Sequence, residues 1–368
     1  MKKKILFMVS SMNIGGVEKS LLSLLSVIPN DKYNITVLIL EKKGGFLKML
    51  PEWVKVEEAT WFKKIQPIIM QSPYQTIQSF IKKFQWIKGL RFLYGYMMDQ
   101  KGDNRLKYYE QIMRWIPELS DEYDIAIAYA APTEIIDIYI SFKVKAKEKI
   151  SWIHFDVSKF PINHSLYDCI WEKFDKLYVV SEEACRQLMK KFPSKETKCQ
   201  VVYNVISPDL IREMANEVPQ VTFNQHYFNI VTVGRLSKEK GQDLAIEALN
   251  VLKSDGYKVH WYCIGSGSAR KQYEALVQKY KLENDFFFIE ATANPYPYMK
   301  HADLYVQPSR HDGYCLTLAE ALCLDKTVIA TKFAGALEQI IDGENGYLIN
   351  SEVNNLVVKI QEVMKELE

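Results

Sequence analysis

The feature that most constrains this chain is an alternation, along almost its whole length, of short apolar runs with amphipathic segments of helical length. The apolar runs are rich in β-branched residues, which is typical of parallel strands covered by helices on both faces. One series of runs lies at 5–9, 35–40, 125–129, 150–153, 177–180 and 200–203, and a second at 229–233, 259–264, 286–289, 304–306 and 327–330. Two series predict an α/β protein of two Rossmann-like, doubly wound domains that face each other across a cleft.

The boundary between the two series is a polar stretch at 207–227 that contains Pro208 and Pro219 and has no clear period. We therefore expect a first domain over 1–208 and a second domain over 209–350. Because ligands of open α/β sheets bind at the carboxyl ends of the strands, the loops at those ends should carry the functional residues.

Composition excludes several classes of protein. The formal net charge is only +2, so nothing indicates a nucleic-acid partner. The six cysteines form no CxxC pair, which argues against a zinc knuckle or a disulfide framework and favours a reducing compartment. No apolar run is long enough to span a membrane, and the apolar stretch after the first lysines is too short for a signal peptide. We expect a cytoplasmic protein, either soluble or attached to a membrane surface.

An insertion at about 61–115 interrupts the alternation. Between Trp61 and Met98 it holds six lysine or arginine residues, interleaved with aromatic residues, and no aspartate or glutamate. One interpretation is a surface patch in the first domain that docks on anionic lipid, on the inner face of the cell membrane. The other is a set of helices whose aromatic side chains fill a local core while the lysines are solvated. The absence of acidic residues favours membrane contact through about 61–98.

The first glycine-rich motif, Gly15-Gly16-Val17-Glu18-Lys19-Ser20, follows the first apolar run. It is not a P-loop, because Glu18 and Asn13 stand where that motif needs glycine. A glycine at a helix N-terminus still lets backbone N–H groups approach an anion, so Gly16 is a candidate phosphate-binding residue.

Two motifs of the second series carry charged residues at strand ends. The segment Gly234-Arg235-Leu236-Ser237-Lys238-Glu239-Lys240-Gly241 places two cations, Arg235 and Lys240, around a helix start, which predicts a diphosphate clamp. The segment 307–322 contains two carboxylates eight positions apart, Asp312 and Glu320. For Asp312 the plain alternative is a helix N-cap.

At these residues the sequence resembles the family-four retaining glycosyltransferases of the GT-B fold. The matching pieces are GGVEKS, GRLSKEKG, IGSGS, DGYCLTLAEAL and TVIAT, and they occur in the order typical of that family. The resemblance covers essentially the whole chain outside the insertion. It also implies that the first domain binds the acceptor, that the second binds the nucleotide-sugar donor, and that the helical segment 351–368 crosses back to join the first domain.

The resemblance implies roles for individual residues. Arg235 and Lys240 would bind the donor diphosphate and neutralise the leaving group, Asp312 would bind a hydroxyl of the donor sugar, and Glu320 would bind the ribose hydroxyls. His154 would contact the sugar near its reacting carbon, although a structural histidine at a strand end is the alternative. The remaining donor-binding residues implied are Gly16, Gly234, Gly265, Gly313, Tyr314, Cys315 and Leu316.

The implied reaction moves a sugar from a nucleotide-sugar, most simply a UDP-sugar, to a lipid-linked saccharide in bacterial surface-polysaccharide synthesis. No DxD motif occurs, in agreement with an enzyme that needs neither a metal nor another cofactor. Three departures from the family pattern stand near the site: Asp312 for glutamate, Cys315 for glycine, and Asp325-Lys326 for Gly-x-Pro. They keep open the alternative of a non-catalytic partner subunit, and a nucleotide-sugar epimerase of similar shape is a second alternative. A dinucleotide oxidoreductase is disfavoured, because Arg270 replaces the third glycine of its fingerprint.

Overall fold

The computed structural model describes residues 2–102, 104–155, 157–158 and 162–367. It divides into two compact units, described separately below. One unit contains the residues before Ile14 together with Val27–Tyr203, and the other contains Ile14–Ser26 together with the residues from Asn204 on. The division after Tyr203 lies close to the boundary expected at 208. Ile14–Ser26, however, which the sequence analysis assigns to the first domain, belongs to the second unit.

The first unit is built on a parallel sheet of seven strands in the order β3-β2-β1-β4-β5-β6-β7. Its central strands are apolar and buried, as the alternation predicts. The order switches between β1 and β4, because β2 and β3 are added on one side of β1 and β4 to β7 on the other. The strands are β1 (Lys3–Val9), β2 (Tyr33–Ile39), β3 (Lys55–Glu58), β4 (Glu122–Ala131), β5 (Lys145–Ile153), β6 (Lys176–Val179) and β7 (Cys199–Val201).

Helices connect these strands, and four consecutive helices form the insertion. The helices that begin before Asn204 are α1 (Gly16–Val27), α2 (Phe62–Met70), α3 (Pro73–Lys82), α4 (Trp86–Gly102), α5 (Arg105–Met113), α6 (Glu134–Lys143), α7 (His164–Trp171) and α8 (Glu182–Lys191). Short 3₁₀ turns lie at Leu47–Met49 and Pro193–Lys198. Within the described residues, no helix combines the length and the apolar character needed to cross a membrane.

The second unit has a parallel sheet in the order β10-β9-β8-β11-β12-β13, which is the doubly wound order of dinucleotide-binding folds. Its strands are β8 (Phe228–Val233), β9 (Val259–Ile264), β10 (Phe286–Ile289), β11 (Leu304–Gln307), β12 (Val328–Thr331) and β13 (Tyr347–Ile349). Its further helices are α9 (Pro208–Met214), α10 (Gln242–Ser254), α11 (Arg270–Tyr280), α12 (Tyr296–His301), α13 (Leu316–Cys323), α14 (Ala334–Gln339) and α15 (Val353–Leu367), and a 3₁₀ turn lies at Lys238–Lys240.

The core of the second unit lies on both faces of its sheet. Successive residues of a strand point to opposite faces, and the buried residues divide accordingly: Ile230 and Trp261 belong to one hydrophobic cluster, and Val231 and Tyr262 to the other. Helices therefore cover both faces, and the polar residues that follow the strand ends are free of any role in the core.

The C-terminal helix corrects one expectation. The sequence analysis joins 351–368 to the first domain, but α15 packs in the second unit, in the same cluster as β8 and α10. Leu356, Ile360 and Val363 recur at the spacing of one helical face and are buried there. The apolar stripe that predicts the helix is thus used within its own domain.

Candidate functional site

The loops after β8 and β11 meet because these two strands are neighbours in the sheet. β8 pairs with β9 on one side and with β11 on the other, so the carboxyl ends of β8 and β11 flank the switch point of the topology. In doubly wound sheets this is the place where ligands bind. The two loops bring Gly234, Arg235 and Lys240 from the first motif to the same edge as Asp312 from the second.

Lys240 and Asp312 form an ion pair across 72 positions of sequence. Burial is the largest single influence and lowers the pKa of the Lys240 ammonium, but the interactions that oppose it, those with Asp312 foremost, together make the net shift of that pKa upward. Lys240 is therefore held as a cation in a largely dry position. The side chain of Arg235, in contrast, is exposed. The predicted clamp consists of one cation fixed by a carboxylate and one cation that faces solvent.

Glycines allow these loops to pack backbone against backbone. Gly241 has φ 72°, and a Cβ atom there would lie 1.9 Å from the Pro308 carbonyl oxygen. A Cβ atom on Gly265 would lie 2.0 Å from the Gly234 carbonyl oxygen. Packing alone thus explains why Gly265 is a glycine, and its contact with a ligand stays a prediction. Gly234 is different, because a Cβ atom there would meet only Lys240 Cδ, at 3.9 Å.

The helix α13 begins directly after the acidic loop. Cys315, at its N-cap, has φ 62°, a left-handed conformation that glycine adopts more easily. The structure thereby explains why the family pattern has glycine where this chain has cysteine. Gly313 and Tyr314 precede it, and Gln339 Nε2 donates a hydrogen bond to the Tyr314 carbonyl oxygen. The loop that leads into Leu316, the first residue of α13, is therefore anchored from α14.

A buried polar network fixes the start of the same loop. The side-chain oxygen of Gln307 accepts hydrogen bonds from the hydroxyls of Tyr305, at 2.6 Å, and Thr317, at 3.3 Å. Its side-chain nitrogen donates to Ser309 Oγ at 2.8 Å. Because a buried amide left without partners is costly, this network specifies one position for the chain on both sides of Asp312.

Glu320, in the second turn of α13, is buried. Its Oε1 atom accepts a hydrogen bond from the Tyr296 hydroxyl at 3.3 Å and lies 3.5 Å from Lys19 Nζ. Its Oε2 atom is shielded from solvent and has no hydrogen-bond donor among the described residues. Burial raises the pKa of the Glu320 carboxyl, and Lys19 opposes that shift. A buried carboxylate oxygen without a donor indicates a place for a ligand hydroxyl.

Two of these partners were not assigned from the sequence. Lys19 Nζ also lies 4.2 Å from the centre of the Tyr296 ring, a cation–π distance. Lys19 belongs to the quoted glycine motif, so its position in that motif was a usable signal. Nothing in the sequence marked Tyr296 for this contact.

The N-terminus of α1 belongs to the second unit together with these loops. A Cβ atom added to Gly16, the first residue of α1, would meet no atom within 4 Å. Close by, burial raises the pKa of the Glu18 carboxyl, and the charge of Arg235 is among the influences that oppose the shift. The space beside Gly16 is therefore open, and the charge of Arg235, one of the two clamp cations, influences the pKa of the nearby Glu18.

His154 lies in the first unit, at the end of β5. Its backbone N–H donates to the Ala131 carbonyl oxygen at 3.2 Å, and its ring packs 4.7 Å from the Tyr129 ring. Burial lowers the pKa of the imidazole to about 3, so His154 is neutral at physiological pH. Its Nε2 atom has no hydrogen-bond partner in the described parts of the chain. Asp156, two positions after it, lies outside the described residues.

Comparison with known proteins finds a family that matches the second part of the chain. Residues 214–368 match the family "Glycosyl transferases group 1". A Campylobacter jejuni N-acetylgalactosamine-N,N'-diacetylbacillosaminyl-diphospho-undecaprenol 4-alpha-N-acetylgalactosaminyltransferase is 27% identical over 56% of this chain and 54% of its own length. The Escherichia coli O-antigen biosynthesis glycosyltransferase WclY is 28% identical over 45% of this chain and 46% of its own length. The chain thus spans about half the length of the curated relatives that it matches.

Solved structures extend the likeness to the whole chain. The crystal structure of Anabaena HepE in complex with UDP-glucose matches 99% of this chain and 90% of that protein with a TM-score of 0.68, at 18% identity. At that identity the match shows the fold. Together with the two doubly wound sheets, it confirms the GT-B fold, and the family match confirms the resemblance seen in the motifs.

Proposed function

We propose that this chain, which matches the group 1 glycosyltransferases over residues 214–368 and has the GT-B fold, transfers a sugar from a UDP-linked donor to a lipid-linked saccharide, with retention of the anomeric configuration. The observation that carries the proposal is the arrangement at one switch point of two cations, a carboxylate and the start of α13. The proposed setting is bacterial surface-polysaccharide synthesis, which the name of the Escherichia relative, an O-antigen biosynthesis glycosyltransferase, supports.

The clamp is proposed to act on the leaving group. When the bond between the anomeric carbon and the diphosphate oxygen breaks, the electron pair stays on the diphosphate. Arg235 and Lys240 provide positive charge there, and the backbone N–H groups of 313–316, at the start of α13, provide oriented dipoles. Gly16 and Gly234 leave room for the backbone to approach the same anion. Groups fixed before the reaction stabilise this charge without reorganising during it.

The carboxylates and the histidine are proposed to hold the donor. Glu320 would accept hydrogen bonds from the ribose hydroxyls through Oε2, the buried atom that lacks a donor. Asp312 would accept a hydrogen bond from a sugar hydroxyl while it keeps Lys240 charged. His154, neutral because it is buried, would form a hydrogen bond to the sugar near its reacting carbon. Each role uses a polar atom that the fold holds in a buried or partly buried position.

In the proposed reaction the acceptor hydroxyl oxygen bonds to the anomeric carbon on the face that the diphosphate leaves. The hydroxyl proton passes to the departing phosphate oxygen, so no separate base is needed. Since Arg235 and Lys240 supply the positive charge, we expect turnover to persist in EDTA. Loss of turnover in EDTA that added magnesium or manganese restores would overturn metal independence and leave the donor site as proposed.

The location is part of the proposal. A lipid-linked acceptor places the reaction at the inner face of the cell membrane, and the Campylobacter relative is named for a diphospho-undecaprenol substrate. We propose peripheral attachment through the basic and aromatic segment at about 61–98, in which no acidic residue occurs.

Calorimetry against UDP and a panel of UDP-sugars tests the donor site. We expect one UDP-sugar to bind the wild type, and Arg235→Ala and Lys240→Ala each to weaken that binding by about tenfold or more, as for loss of a charge-assisted hydrogen bond. The matched control is Lys359→Ala, which removes a cation on α15 that pairs with Glu362. We expect the control to bind like the wild type.

Product analysis tests the chemistry. With the donor so identified, slow release of UDP in the absence of acceptor and an axial-to-axial or equatorial-to-equatorial product by NMR would support a retaining transferase. An inverted product would refute the retaining reaction. If no nucleotide or nucleotide-sugar binds the wild type, the donor site itself is refuted.

A further inference from the structure

Exposed apolar side chains are concentrated in the insertion. Among the described residues, 22 large hydrophobic residues are exposed, and ten of them lie in the 28 positions 70–97. These ten are Met70, Tyr74, Ile81, Phe84, Trp86, Ile87, Leu90, Leu93, Tyr94 and Met97. Scattered apolar residues are normal on a protein surface, but such a concentration indicates an interaction surface.

The segment is folded, so this exposure does not result from a missing core. Phe80 of α3 and Phe92 of α4 are buried, with ring centres 6.1 Å apart. Phe80 also packs against Trp115, at 5.6 Å, and Phe92 against Tyr108, at 5.8 Å. The aromatic residues of the insertion thus divide into two sets. One set forms a local core, and the other remains on the surface.

The exposed set is most pronounced at the corner between α3 and α4. Phe84 is 82% exposed, and Trp86, Ile87 and Leu90 are exposed by 56%, 68% and 69%. We call these four residues the α3–α4 wedge. The first turns of α4 lack a covered face there, because each residue from 86 to 91 except the partly exposed Gly89 is exposed.

Phe84 adds a conformational argument. Its φ angle is 54°, in the left-handed region that a bulky residue enters only at an energetic cost. The chain turns here at the end of α3, where Phe84 N–H donates to the Ile81 carbonyl oxygen at 3.0 Å. Glycine would serve this turn better. A strained and exposed phenylalanine is therefore unfavourable for the folded chain alone, and such strain is typical of functional positions.

The charges around the wedge select its partner. Lys82, Lys83, Lys88 and Arg91 are exposed, and none of the four takes part in an ion pair among the described residues. No acidic residue occurs between positions 61 and 98 to balance them. An apolar tip surrounded by cations of one sign matches an anionic lipid surface, whose headgroups attract the cations and whose acyl boundary accepts aromatic side chains.

We propose that the α3–α4 wedge inserts into the acyl boundary of an anionic bilayer, with the four cations at the headgroups. The inference rests on the proposed membrane-borne acceptor and specifies how that membrane is engaged: by insertion of apolar side chains rather than by charge alone.

The test uses the full chain and vesicles of phosphatidylglycerol and phosphatidylcholine, with vesicles of phosphatidylcholine alone as the neutral surface. We expect binding to the anionic vesicles that persists in part at high salt. The double variant Phe84→Ser/Leu90→Ser should partition about tenfold more weakly or worse, because two apolar side chains no longer leave water. Val218→Ser/Ile341→Ser, which removes exposed apolar residues of the second unit, is the matched control and should bind like the wild type.

A second measurement tests how deeply the wedge lies in the bilayer. Lipids brominated on their acyl chains should quench a part of the tryptophan fluorescence that Trp86→Phe abolishes. Vesicle binding that high salt removes and that the double variant leaves unchanged would overturn insertion. An absence of vesicle binding would also overturn insertion. Self-association in solution that only the double variant abolishes would do the same, since a second copy of the chain would then cover the wedge. Donor binding, measured without vesicles, should be equal in all these variants. A result against membrane insertion can therefore be distinguished from a result against the proposed donor site.

Discussion

Asp137 offers a quantitative test of the first unit. It lies in α6, next to the switch point of the first sheet, and is fully buried. Its carboxyl oxygens accept hydrogen bonds from the Thr133 N–H at 2.9 Å, from Ser151 Oγ at 2.9 Å and from the Tyr167 hydroxyl at 3.4 Å. Burial raises the pKa of the Asp137 carboxyl from 3.8 to about 7, and the hydrogen bonds oppose that shift only in part.

The direction of the pH dependence follows from this shift. Between the unfolded value of 3.8 and the folded value of about 7, the folded protein retains a proton that the unfolded chain releases. The stability that Asp137 contributes therefore falls as the pH rises through this window, by about 1.4 kcal/mol per unit. Between about pH 4.5 and about pH 8 the free energy of unfolding should lose about 3 kcal/mol through this group. The substitution Asp137→Asn, which resembles the protonated acid, removes that loss.

Urea unfolding followed by tryptophan fluorescence measures the effect, because six of the seven tryptophans, all except Trp261, lie in the first unit. We expect the stability of Asp137→Asn relative to the wild type to increase by about 3 kcal/mol from about pH 4.5 to about pH 8. The depressed pKa of His154 has the opposite effect, since stability is lost as the pH falls below 6.5, but it cancels in this difference.

Asp124→Asn is the matched control for this measurement. Asp124 is a surface carboxyl whose pKa Lys147 lowers, so it is ionised in both the folded and the unfolded state across most of the range. Its difference from the wild type should stay nearly constant. A difference for Asp137→Asn that is equally constant would show that Asp137 is ionised throughout, and would refute the reasoning from burial.

Three further predictions concern single residues. Gly16→Ala should fold normally, since the added Cβ meets no atom within 4 Å, yet it should bind UDP at least about tenfold more weakly if the ligand approaches the backbone there. In Gly265→Ala the added Cβ would meet a carbonyl oxygen, so the free energy of unfolding in urea should instead fall by about 3 kcal/mol. Asp325→Gly should stabilise the second unit by about 1 kcal/mol, measured by thermal melting, because Asp325 has φ 53° at the end of α13. Because the pKa of His154 is about 3, its titration should not contribute to the pH profile of kcat/KM near pH 6.5. The profile near that pH should therefore have the same shape in His154→Asn as in the wild type.

The sequence predicts the sheets well where strands are covered on both faces. β8, β9 and β11 appear as nearly continuous apolar runs, because each side of a central strand packs against helices. The edge strands β3 and β13 were missed. β3 reads Lys-Val-Glu-Glu and is only partly buried, so it carries no apolar run that a pattern could reveal.

The insertion shows a different limit. Its aromatic residues are compatible by composition with a local core and with an exposed interaction surface, and the structure has a buried set and an exposed set. Phe80 and Phe92 are buried by contacts with Trp115 and Tyr108, which come from α5 and the turn after it. Phe84, eight positions before Phe92, has no such partner and is exposed. Only the packing of α5 against α3 and α4 separates the two sets, and one sequence does not disclose that packing.

The candidate site could be predicted as a set of residues but not as a set of contacts. Motif order placed Arg235, Lys240 and Asp312 in loops at strand ends, where the fold does bring them, and Glu320 on the helix that follows. The pairing of Lys240 with Asp312 depends on the adjacency of β8 and β11, which are far apart in the chain. Tyr296 reaches Glu320 from α12, a helix with no motif of its own.

The departures from the family pattern near α13 keep the local backbone. Cys315 and Asp325 both have left-handed φ angles, of 62° and 53°, where the pattern has glycine. Each such residue costs about 1–2 kcal/mol relative to a relaxed conformation. The surrounding contacts maintain these conformations despite that cost, so the substitutions change side chains and not the path of the loop. A partner subunit that had lost its donor site would have no need of this path.

Asp312 remains the departure with direct consequences for chemistry. If Asp312 serves only as the counter-ion of Lys240, Asp312→Asn should weaken the binding of UDP and the binding of the UDP-sugar equally. If it also binds the sugar, the substitution should lower the ratio of the Kd for UDP to the Kd for the UDP-sugar, by about tenfold for one hydrogen bond to a charged group. We expect the second result, because the Asp312 side chain is partly exposed and a carboxylate has lone pairs beyond those that Lys240 uses. Asp312→Glu keeps the charge and restores the usual family residue, so the ratio should survive in that variant, and a ratio that stays unchanged in Asp312→Asn would assign Asp312 to Lys240 alone.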